Sequence, residues 1–410
     1  MLGTSILRHA MSMPPHDQLA YLTDGIDALL PEGELLERLV EGTPLRVKLG
    51  VDPTAPDVTL GWAVVFDRLR RFQECGHTAV LIIGDFTAQV GDPSGKSETR
   101  RRLGADEVGV NVSGVVDTVK DLLLADNLEI RHNSEWLGSM TMHDVLDLTA
   151  QFTISRIMDR DDFSQRWEAH KPISLIEFMY PLLQAMDSVA VRSDIELGGS
   201  DQLFNNLVGR DLQERMGQPG QMVLTVPLLV GTDGVKKMSQ SLGNYVSVRD
   251  DPGEMFGKTM SIPDEAMAQW LSLAAGFTEV EVAAIVDGLA AGDLHPGDTK
   301  RRLARAVVAR YWGSEAAKAA EEGFDLLFRH HQIPGEIADF PLPNEDPVRL
   351  PALMSAAGLV SSNGEGRRML AQGAVKLDGE PVSEELIQRA ALAGRVLQVG
   401  KRRFMRLVAP

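Results

Sequence analysis

Three polar side chains share one face of a predicted helix. Tyr180, Gln184 and Asp187, in the stretch YPLLQAMD, fall at positions i, i+4 and i+7. A helix therefore presents a phenol, an amide and a carboxylate on the same side. Apolar residues flank the stretch at both ends, which favours a pocket lining over a solvent-facing stripe. Such a face can bind a small polar molecule.

A loop that combines an acid with two cations follows the apolar run TAVLIIGDF (78–86). The loop is GDPSGKSETR (91–100), and it places Asp92 close in sequence to Lys96 and Arg100. An acid can hold an ammonium group while cations hold phosphates. The spacing of its glycines is one residue too short for the G-x-x-x-x-G-K-S/T pattern, which excludes a P-loop at this point.

The sequence GGSDQ (198–202) also follows a predicted strand and opens a helix. Gly198 and Gly199 let a ligand approach the backbone closely. The helix N-terminus favours negative or polar groups, and Asp201 can accept hydrogen bonds from ribose hydroxyls. Paired glycines before a helix are common in α/β folds, so this signal gains weight only together with the others.

A further loop, VKKMSQSLGNYV (235–246), carries Lys236 and Lys237 between glycine and serine residues. Glycine and serine give a loop freedom to move. A mobile cationic loop is suited to close over a triphosphate.

The elements around these loops predict a parallel sheet. LRVKLGV (45–51) reads as a strand, residues 61–75 have helical spacing, and the apolar run 78–86 reads as a strand covered on both faces. Strand, helix and strand within about 40 residues make a right-handed βαβ unit. A second such unit and the strand at 222–231 complete a Rossmann-like, doubly wound α/β domain. Ligands in such sheets bind beyond the carboxyl ends of the strands.

The 410 residues are too many for one ordinary core. Alanine-rich helical patterns begin near residue 250, and a proline-rich, acidic stretch follows them. We predict five segments: a flexible N-terminal extension (1–14), a Rossmann-like catalytic domain (15–247), an α-helical domain (248–330), a linker (331–350) and a small α+β domain (351–410).

Composition narrows the class of protein. The net charge is −17, yet residues 351–410 hold nine basic and five acidic side chains, a net charge of +4. A basic terminal domain on an acidic body suggests a local contact with a polyanion such as RNA, although charge alone does not decide this. Cys75 is the only cysteine, so the chain can form no internal disulfide and no cysteine-rich zinc site. No apolar run approaches the roughly 20 residues of a membrane span. We therefore expect a cytoplasmic protein without membrane association.

Taken in order, DPTAPD (52–57), GDPSGKS, YPLLQAMDS, GGSDQ and KMSQSLGNY resemble the class I aminoacyl-tRNA synthetases, and within them the tyrosyl-tRNA synthetases. The stretch GLVSSNGEGRRMLAQGAVKLDGEPV (358–382) resembles the small RNA-binding domain named after a ribosomal small-subunit protein. The resemblance covers the chain after about residue 15. It implies activation of tyrosine by ATP with Mg²⁺, transfer to tRNA(Tyr), a homodimer with an interface insertion in the catalytic domain, an anticodon-recognising helical domain and no protein-bound metal.

The resemblance also implies roles for individual residues. Asp187 would bind the phenol of the substrate, while Tyr180, Gln184 and Asp92 would hold its ammonium group. The remaining tyrosine contacts would be Lys48, Asn133 and Gln202. ATP contacts would come from Asp52, Gly61, Trp62, Gly198, Gly199, Asp201, Lys236, Lys237, Ser239 and Gln240. Catalysis would rest on Thr54, Thr59, Lys96, Arg100 and Lys237, and RNA binding on Arg367, Arg368, Lys376, Arg402 and Arg403.

Four positions depart from the family pattern. Thr59 and Trp62 stand where the family has the histidines of His-x-Gly-His, and Gln240 replaces the second lysine of K-M-S-K-S. Lys48 stands where many bacterial members carry a tyrosine. These departures leave two alternatives to a working ligase. One is a catalytically silent, RNA-binding paralogue; the other is an adenylating enzyme that serves a small acceptor, which the basic C-terminal domain disfavours.

Overall fold

This computed structural model describes residues 13–94, 104–328, 337–400 and 403–408. The chain divides into two compact units, residues 1–314 and 315–410. Lys96, Arg100 and Arg402, together with residues 1–12 of the predicted extension, lie outside the described residues.

A six-stranded sheet forms the centre of the first unit. Its strands are β1 (Ala28–Leu30), β2 (Arg46–Val51), β3 (Thr78–Ile83), β4 (Leu128–His132), β5 (Ile195–Gly199) and β6 (Met222–Val226). They lie in the order β1-β6-β5-β2-β3-β4. The five strands from β2 to β6 are parallel, and β1 pairs antiparallel with β6. The doubly wound fold predicted from the sequence is thereby confirmed.

Fifteen helices of the first unit are described. They are α1 (Pro15–Thr23), α2 (Glu34–Glu41), α3 (Leu60–Glu74), α4 (Thr87–Val90), α5 (Ala105–Leu122), α6 (Ser134–Leu137), α7 (Met142–Thr149), α8 (Ile154–Met158), α9 (Asp161–Glu168), α10 (Leu175–Val191), α11 (Leu203–Arg215), α12 (Pro252–Met260), α13 (Met267–Leu273), α14 (Glu279–Ala291) and α15 (Pro296–Trp312). Helices α12 to α15 account for most of the predicted helical domain.

Apolar runs explain the centre of this unit. Ala79 to Ile83 on β3 are completely buried, as expected for a strand covered on both faces. The unit β2-α3-β3 is the parallel βαβ crossover expected from the sequence. The order in which strands are added to the sheet reverses at β2, which has β3 on one side and β5 on the other. This topological switch point creates a crevice at the carboxyl ends of β2 and β5.

Helix α10 carries the polar face predicted from the sequence. Its apolar side, with Leu182, Leu183, Ala185 and Val189, packs in one core cluster with Val208 and Leu212 of α11. The opposite side is thereby turned toward the crevice of the sheet, because 3.6-residue periodicity separates the two faces.

Helix α16 (Ser314–Phe328) begins at the boundary between the units, and the second unit contains a small α+β domain. Its helices are α17 (Leu350–Ala356), α18 (Asn363–Ala371) and α19 (Arg389–Leu392). A five-stranded sheet has the order β10-β9-β12-β13-β7, and a two-stranded sheet pairs β11 with β8. The strands are β7 (Asp339–Pro341), β8 (Val348–Arg349), β9 (Val375–Leu377), β10 (Glu380–Pro381), β11 (Leu386–Ile387), β12 (Val396–Val399) and β13 (Arg403–Val408).

One turn of this unit follows from its local sequence. Asp378 and Gly379 both have positive φ and connect β9 to β10 by a two-residue turn, which the sequence LDGE favours.

Strands β7 and β8 lie inside the segment that we took as a linker. They are three and two residues long, respectively, too short to show an alternating pattern, so sequence reasoning did not find them.

Candidate active site

A cleft of about 240 Å³ opens at the carboxyl ends of β2 and β5. It brings together most of the residues that the sequence pointed to. The predicted site residues that line it are Asp52, Thr54, Thr59, Gly61, Trp62, Asp92, Tyr180, Gln184, Asp187, Gly198, Gly199, Asp201, Gln202, Lys237, Ser239 and Gln240. Lys48, Asn133 and Lys236 are described by the structure but are not among the lining residues.

Asp187 is a buried carboxylate at one part of this cleft. Its Oδ1 accepts a hydrogen bond from Trp136 Nε1 at 2.9 Å, and its Oδ2 accepts one from Asn133 Nδ2 at 3.4 Å. Burial raises the pKa of Asp187 to about 7, although the charge of Lys48 and the hydrogen bonds from Trp136 and Asn133 act in the opposite direction. A carboxylate has about four lone-pair sites, so acceptor capacity remains for a ligand hydroxyl.

Tyr180 points its phenol at a neighbouring carboxylate. The hydroxyl donates to Asp52 Oδ2 at 2.9 Å, and Thr87 Oγ1 donates to Asp52 Oδ1 at 2.7 Å. Burial raises the pKa of Tyr180 well above its ordinary value, and the charges of Asp52 and Asp92 act in the same direction. The phenol therefore stays neutral, and its oxygen can still accept a hydrogen bond.

Asp92 is held by groups on both sides of the cleft. Its Oδ2 accepts from Gln202 Nε2 at 3.0 Å, and its Oδ1 accepts from the backbone and side chain of Ser94. Gln184 is fixed at both ends of its amide: Nε2 donates to Glu196 at 2.9 Å, and Oε1 accepts from Asn205 at 3.2 Å. These contacts give Asp92 and Gln184 defined orientations.

Lys48 is fully enclosed. It forms a salt bridge of 2.9 Å with Glu196, and the two side chains are 0% and 1% exposed. Asn133 is also buried, and it bridges Thr87 and Asp187. Both residues therefore act on the cleft through other side chains.

The first turn of α3 lies at another part of the cleft. Thr59 is its N-cap, and its Oγ1 accepts from the backbone N–H of Trp62 at 3.3 Å. The hydroxyl keeps its own proton for a ligand oxygen. Trp62 is half-buried and lines the cleft. An indole plane there can stack on a flat ring.

Glycine is required at the carboxyl end of β5. A Cβ on Gly199 would lie 2.6 Å from a side-chain carbon of Leu228, and one on Gly198 would lie 2.8 Å from Cβ of Gln202. Both distances are below any tolerable carbon contact. The close packing of Leu228 and Gln202 against this backbone therefore requires glycine at both positions.

The loop with two lysines is tied to both sides of the cleft. Lys237 forms a salt bridge with Asp201, and Gln240 donates its amide to the backbone carbonyl of Asp57. Tyr245 adds a hydrogen bond to the Asp57 carboxylate at 3.2 Å. Lys236, by contrast, is exposed. Of the two lysines, Lys237 is the one directed into the cleft.

Sequence reasoning missed several residues of this site. They are Thr87, Ser94, Trp136, Arg160, Glu196, Asn205 and Asn206. Asn205 and Asn206 lie in the first turn of α11 just after the recognised GGSDQ motif, so polarity on the buried side of that turn was an available signal. The others become neighbours of the cleft only through the tertiary fold.

The predicted RNA-binding residues belong to the second unit. Arg367 and Arg368 on α18 are exposed, and Lys376 on β9 is half-buried. Arg403 donates to the carbonyl of Leu359 and pairs with Glu365 at 3.5 Å. Arg367, Arg368 and Arg403 are exposed and therefore offer more accessible positive charge than the half-buried Lys376.

The described part of the chain holds no group of three or more His, Cys, Asp or Glu side chains able to bind a metal ion. Within the same residues, no helix combines the length and apolar character that crossing a bilayer requires.

Comparisons with known proteins agree with the geometry. A family model described as tRNA synthetases class I (W and Y) matches residues 41–329, and the S4 domain model matches residues 348–385. The chain is 48% identical over 394 residues to tyrosine–tRNA ligase of Moorella thermoacetica, which covers 95% of both chains. It is 45% identical over 396 residues to that of Geobacter sulfurreducens, covering 95% of this chain and 98% of the relative.

Solved structures share the fold. Tyrosyl-tRNA synthetase from Archaeoglobus fulgidus, in complex with L-tyrosine, has a TM-score of 0.60 at 23% identity and matches 75% of this chain and 99% of its own. A C-terminally truncated mitochondrial tyrosyl-tRNA synthetase from Aspergillus nidulans has a TM-score of 0.60 at 21% identity, over 79% and 99% of the two chains. By its sequence and its fold, this chain belongs to the tyrosine–tRNA ligase family of class I tRNA synthetases.

Proposed function

We propose that this protein activates tyrosine with ATP and transfers it to the 3′ end of tRNA(Tyr). The proposal rests most on Asp187, a buried carboxylate that lines the cleft and retains acceptor capacity. A phenol that donates to this carboxylate would be recognised by its hydroxyl, because a ligand without one would leave an acceptor site of the buried carboxylate unfilled. Phenylalanine would thereby be rejected.

The ammonium group of tyrosine would bind where three acceptors converge. Asp92 supplies a carboxylate, Tyr180 a phenol oxygen and Gln184 an amide oxygen, and all three line the same cleft. Gln202 holds Asp92 in place through its amide. The substrate would then be bound at both ends, which positions its carboxylate for reaction.

Activation joins the substrate carboxylate to the α-phosphate of ATP. One carboxylate oxygen attacks phosphorus, the new P–O bond forms tyrosyl-adenylate, and the bond to pyrophosphate breaks. Negative charge grows on the leaving pyrophosphate, where Lys237 and the Thr59 hydroxyl can stabilise it. Mg²⁺ would arrive with the phosphates of ATP. Asp201 would accept from the ribose hydroxyls, and Trp62 would stack on the adenine.

Transfer completes the reaction. The terminal ribose hydroxyl of the tRNA attacks the acyl carbon of the adenylate, the ester forms and AMP leaves. Residues 351–410, with their net positive charge, would contact the RNA, and the helical segment 248–330 would read the anticodon. Because ATP and tRNA are its partners, we assign the protein to the cytoplasm.

A homodimer is part of this proposal. Five large apolar side chains between residues 142 and 175 are 59–81% exposed: Met142, Leu146, Ile154, Trp167 and Leu175. A concentration of this kind is typical of a protein–protein interface. A second copy of the chain is its expected occupant, since one tRNA can then span two subunits. Light scattering of Leu146→Glu should give a monomer if the interface lies here, and an unchanged dimer would place it elsewhere.

Tyrosine-dependent exchange between pyrophosphate and ATP tests the proposal directly. Pure protein should catalyse exchange with tyrosine and not with phenylalanine. If exchange is absent with every amino acid while tRNA still binds, the chain is a silent RNA-binding paralogue. If exchange occurs but tRNA is never charged, the acceptor is a different molecule.

A further inference from the structure

Lys48 and Glu196 form a closed charge pair at the switch point of the sheet. The two residues stand opposite each other in the register of β2 and β5, and their side chains are 0% and 1% exposed. Placing two charges in so dry an environment is costly unless every polar atom finds a partner. The surrounding contacts meet that demand.

Each donor of the lysine has an acceptor. Lys48 Nζ lies 2.9 Å from Glu196 Oε1, 2.7 Å from Ser188 Oγ and 3.2 Å from the backbone carbonyl of Gln184. An ammonium group has three N–H donors, so the three contacts use all of them. Lys48 therefore has no proton left for a ligand.

The glutamate is saturated in the same way. Its Oε1 accepts from Lys48 and from Gln184 Nε2, and its Oε2 accepts from Ser188 Oγ and from Gln221 Nε2. Four donors match the four lone-pair sites of a carboxylate, and the Asn206 amide, with its nitrogen turned toward Oε1, is a further donor at 3.1 Å. A fully connected network of this kind defines one arrangement of its members.

The network reaches the cleft through Gln184, which lines it and whose Nε2 also contacts the amide of Asn206, another lining residue. An ionised carboxylate can only accept. Glu196 therefore forces the Gln184 amide to present its nitrogen to the network and its oxygen away from it. Asn205 supports this orientation by donating to that oxygen at 3.2 Å. One lone pair of the oxygen is then left for a ligand donor.

We propose that the Lys48–Glu196 pair is a positioning element for tyrosine, because it fixes the Gln184 amide with its oxygen toward the substrate ammonium. This inference rests on the proposed function. The charge of Lys48 also acts on Asp187, which would bind the other end of the substrate. Burial raises the pKa of Asp187, and the charge of Lys48 is the largest influence that opposes it.

Charge-removing variants separate positioning from simple structural support. Glu196→Gln and Lys48→Met each leave a buried charge without its counterpart, so both should lower the melting temperature. The double variant Lys48→Met/Glu196→Met removes both charges and should be more stable than Lys48→Met alone. Its tyrosine affinity, measured by calorimetry, should nevertheless stay about tenfold or more below that of the unmodified protein, because Gln184 has lost its carboxylate acceptor.

A matched control is available in the same unit. Arg166 and Glu177 form a second buried pair, at 2.5 Å and with 3% and 6% exposure, and neither residue lines the cleft. Arg166→Met/Glu177→Gln should lower stability and leave tyrosine affinity within about twofold. In the exchange assay, Glu196→Gln should raise KM for tyrosine and change KM for ATP by less than about twofold.

A double-mutant cycle tests the route through Gln184. If Glu196 acts through that side chain, Glu196→Gln should weaken tyrosine binding no further once Gln184→Ala is present. Additive losses would overturn the inference, and so would a Lys48→Met/Glu196→Met protein that binds tyrosine normally. If the unmodified chain binds tyrosine and only these expectations fail, the proposed function stands. If the unmodified chain binds none, both fall together.

Discussion

Lys237 of the two-lysine loop and Asp201 of the GGSDQ motif form a salt bridge within the cleft. The lysine is expected to meet the leaving pyrophosphate, and the aspartate is expected to meet the ribose. Their salt bridge therefore links the two-lysine loop to the part of the cleft that carries the expected ribose contact.

Lys237→Met should reduce kcat of pyrophosphate exchange by about 10²- to 10³-fold, because a fixed charge at the developing pyrophosphate is lost. Tyrosine affinity should be unchanged, since Lys237 lies outside the tyrosine part of the site. Lys236→Met is the natural control, because that lysine is exposed, and it should retain most of the activity. Equal losses in both variants would show that the loop needs its total charge rather than one directed group.

Asp187 predicts a pH-dependent stability. Its pKa is raised from 3.8 to about 7 in the folded protein, so the native state keeps a proton that the unfolded chain has already released. The stabilisation that this bound proton provides is complete below about pH 4 and disappears as the pH rises through about 7. Asp187→Asn cannot ionise and should lose no stability in this window. Melting curves of the two proteins from pH 5 to pH 8 should therefore diverge; parallel curves would contradict a raised pKa.

The same carboxyl predicts how tyrosine affinity depends on pH. An ionised carboxylate accepts a hydrogen bond from a phenol more strongly than its protonated form does. Tyrosine affinity should rise as the pH increases through about 7, whereas Asp187→Asn should bind about tenfold or more weakly at every pH. Calorimetry across the range measures both effects. If the tyrosine affinity of Asp187→Asn still changed with pH near 7, another group would be responsible for the titration.

Trp62 offers a test of the altered nucleotide site. Trp62→Ala should raise KM for ATP by about tenfold if the indole stacks on adenine, whereas Trp62→Phe should retain most of the affinity. Restoring the family histidine at Trp62 and at Thr59 distinguishes two situations. Faster exchange would mean that these positions merely weaken activation, and slower exchange would mean that the site has been repacked around the indole.

Arg368 tests the second unit. It is exposed on α18 in the basic terminal domain, and Arg368→Glu should raise KM for tRNA severalfold because phosphate contacts dominate RNA affinity. Pyrophosphate exchange needs no RNA and should remain unchanged. Raising the salt concentration should narrow the difference between the two proteins, and a loss of exchange activity would indicate misfolding instead.

The sequence predicted the sheet and much of the site because both leave local patterns. Tyr180, Gln184 and Asp187 were found through helical spacing, and β2, β3 and β5 through apolar runs that end in polar loops. The environment of Lys48 left no such pattern. Its partner Glu196 lies on a strand far along the chain, and only the register between β2 and β5 makes them neighbours. Strands β7 and β8 were not predicted for a related reason, because they are defined by pairing with strands that are distant in sequence.

The Lys48–Glu196 register also constrains how this site can change over evolutionary time. Replacement of either residue alone would leave an unpaired charge buried in the sheet. Substitutions at the two positions should therefore occur together in evolution. Relatives with an uncharged side chain at the position of Lys48 are then expected to have no acidic side chain at the position of Glu196. Efforts to redesign the cleft for other aromatic amino acids should therefore change the residues at these two positions together.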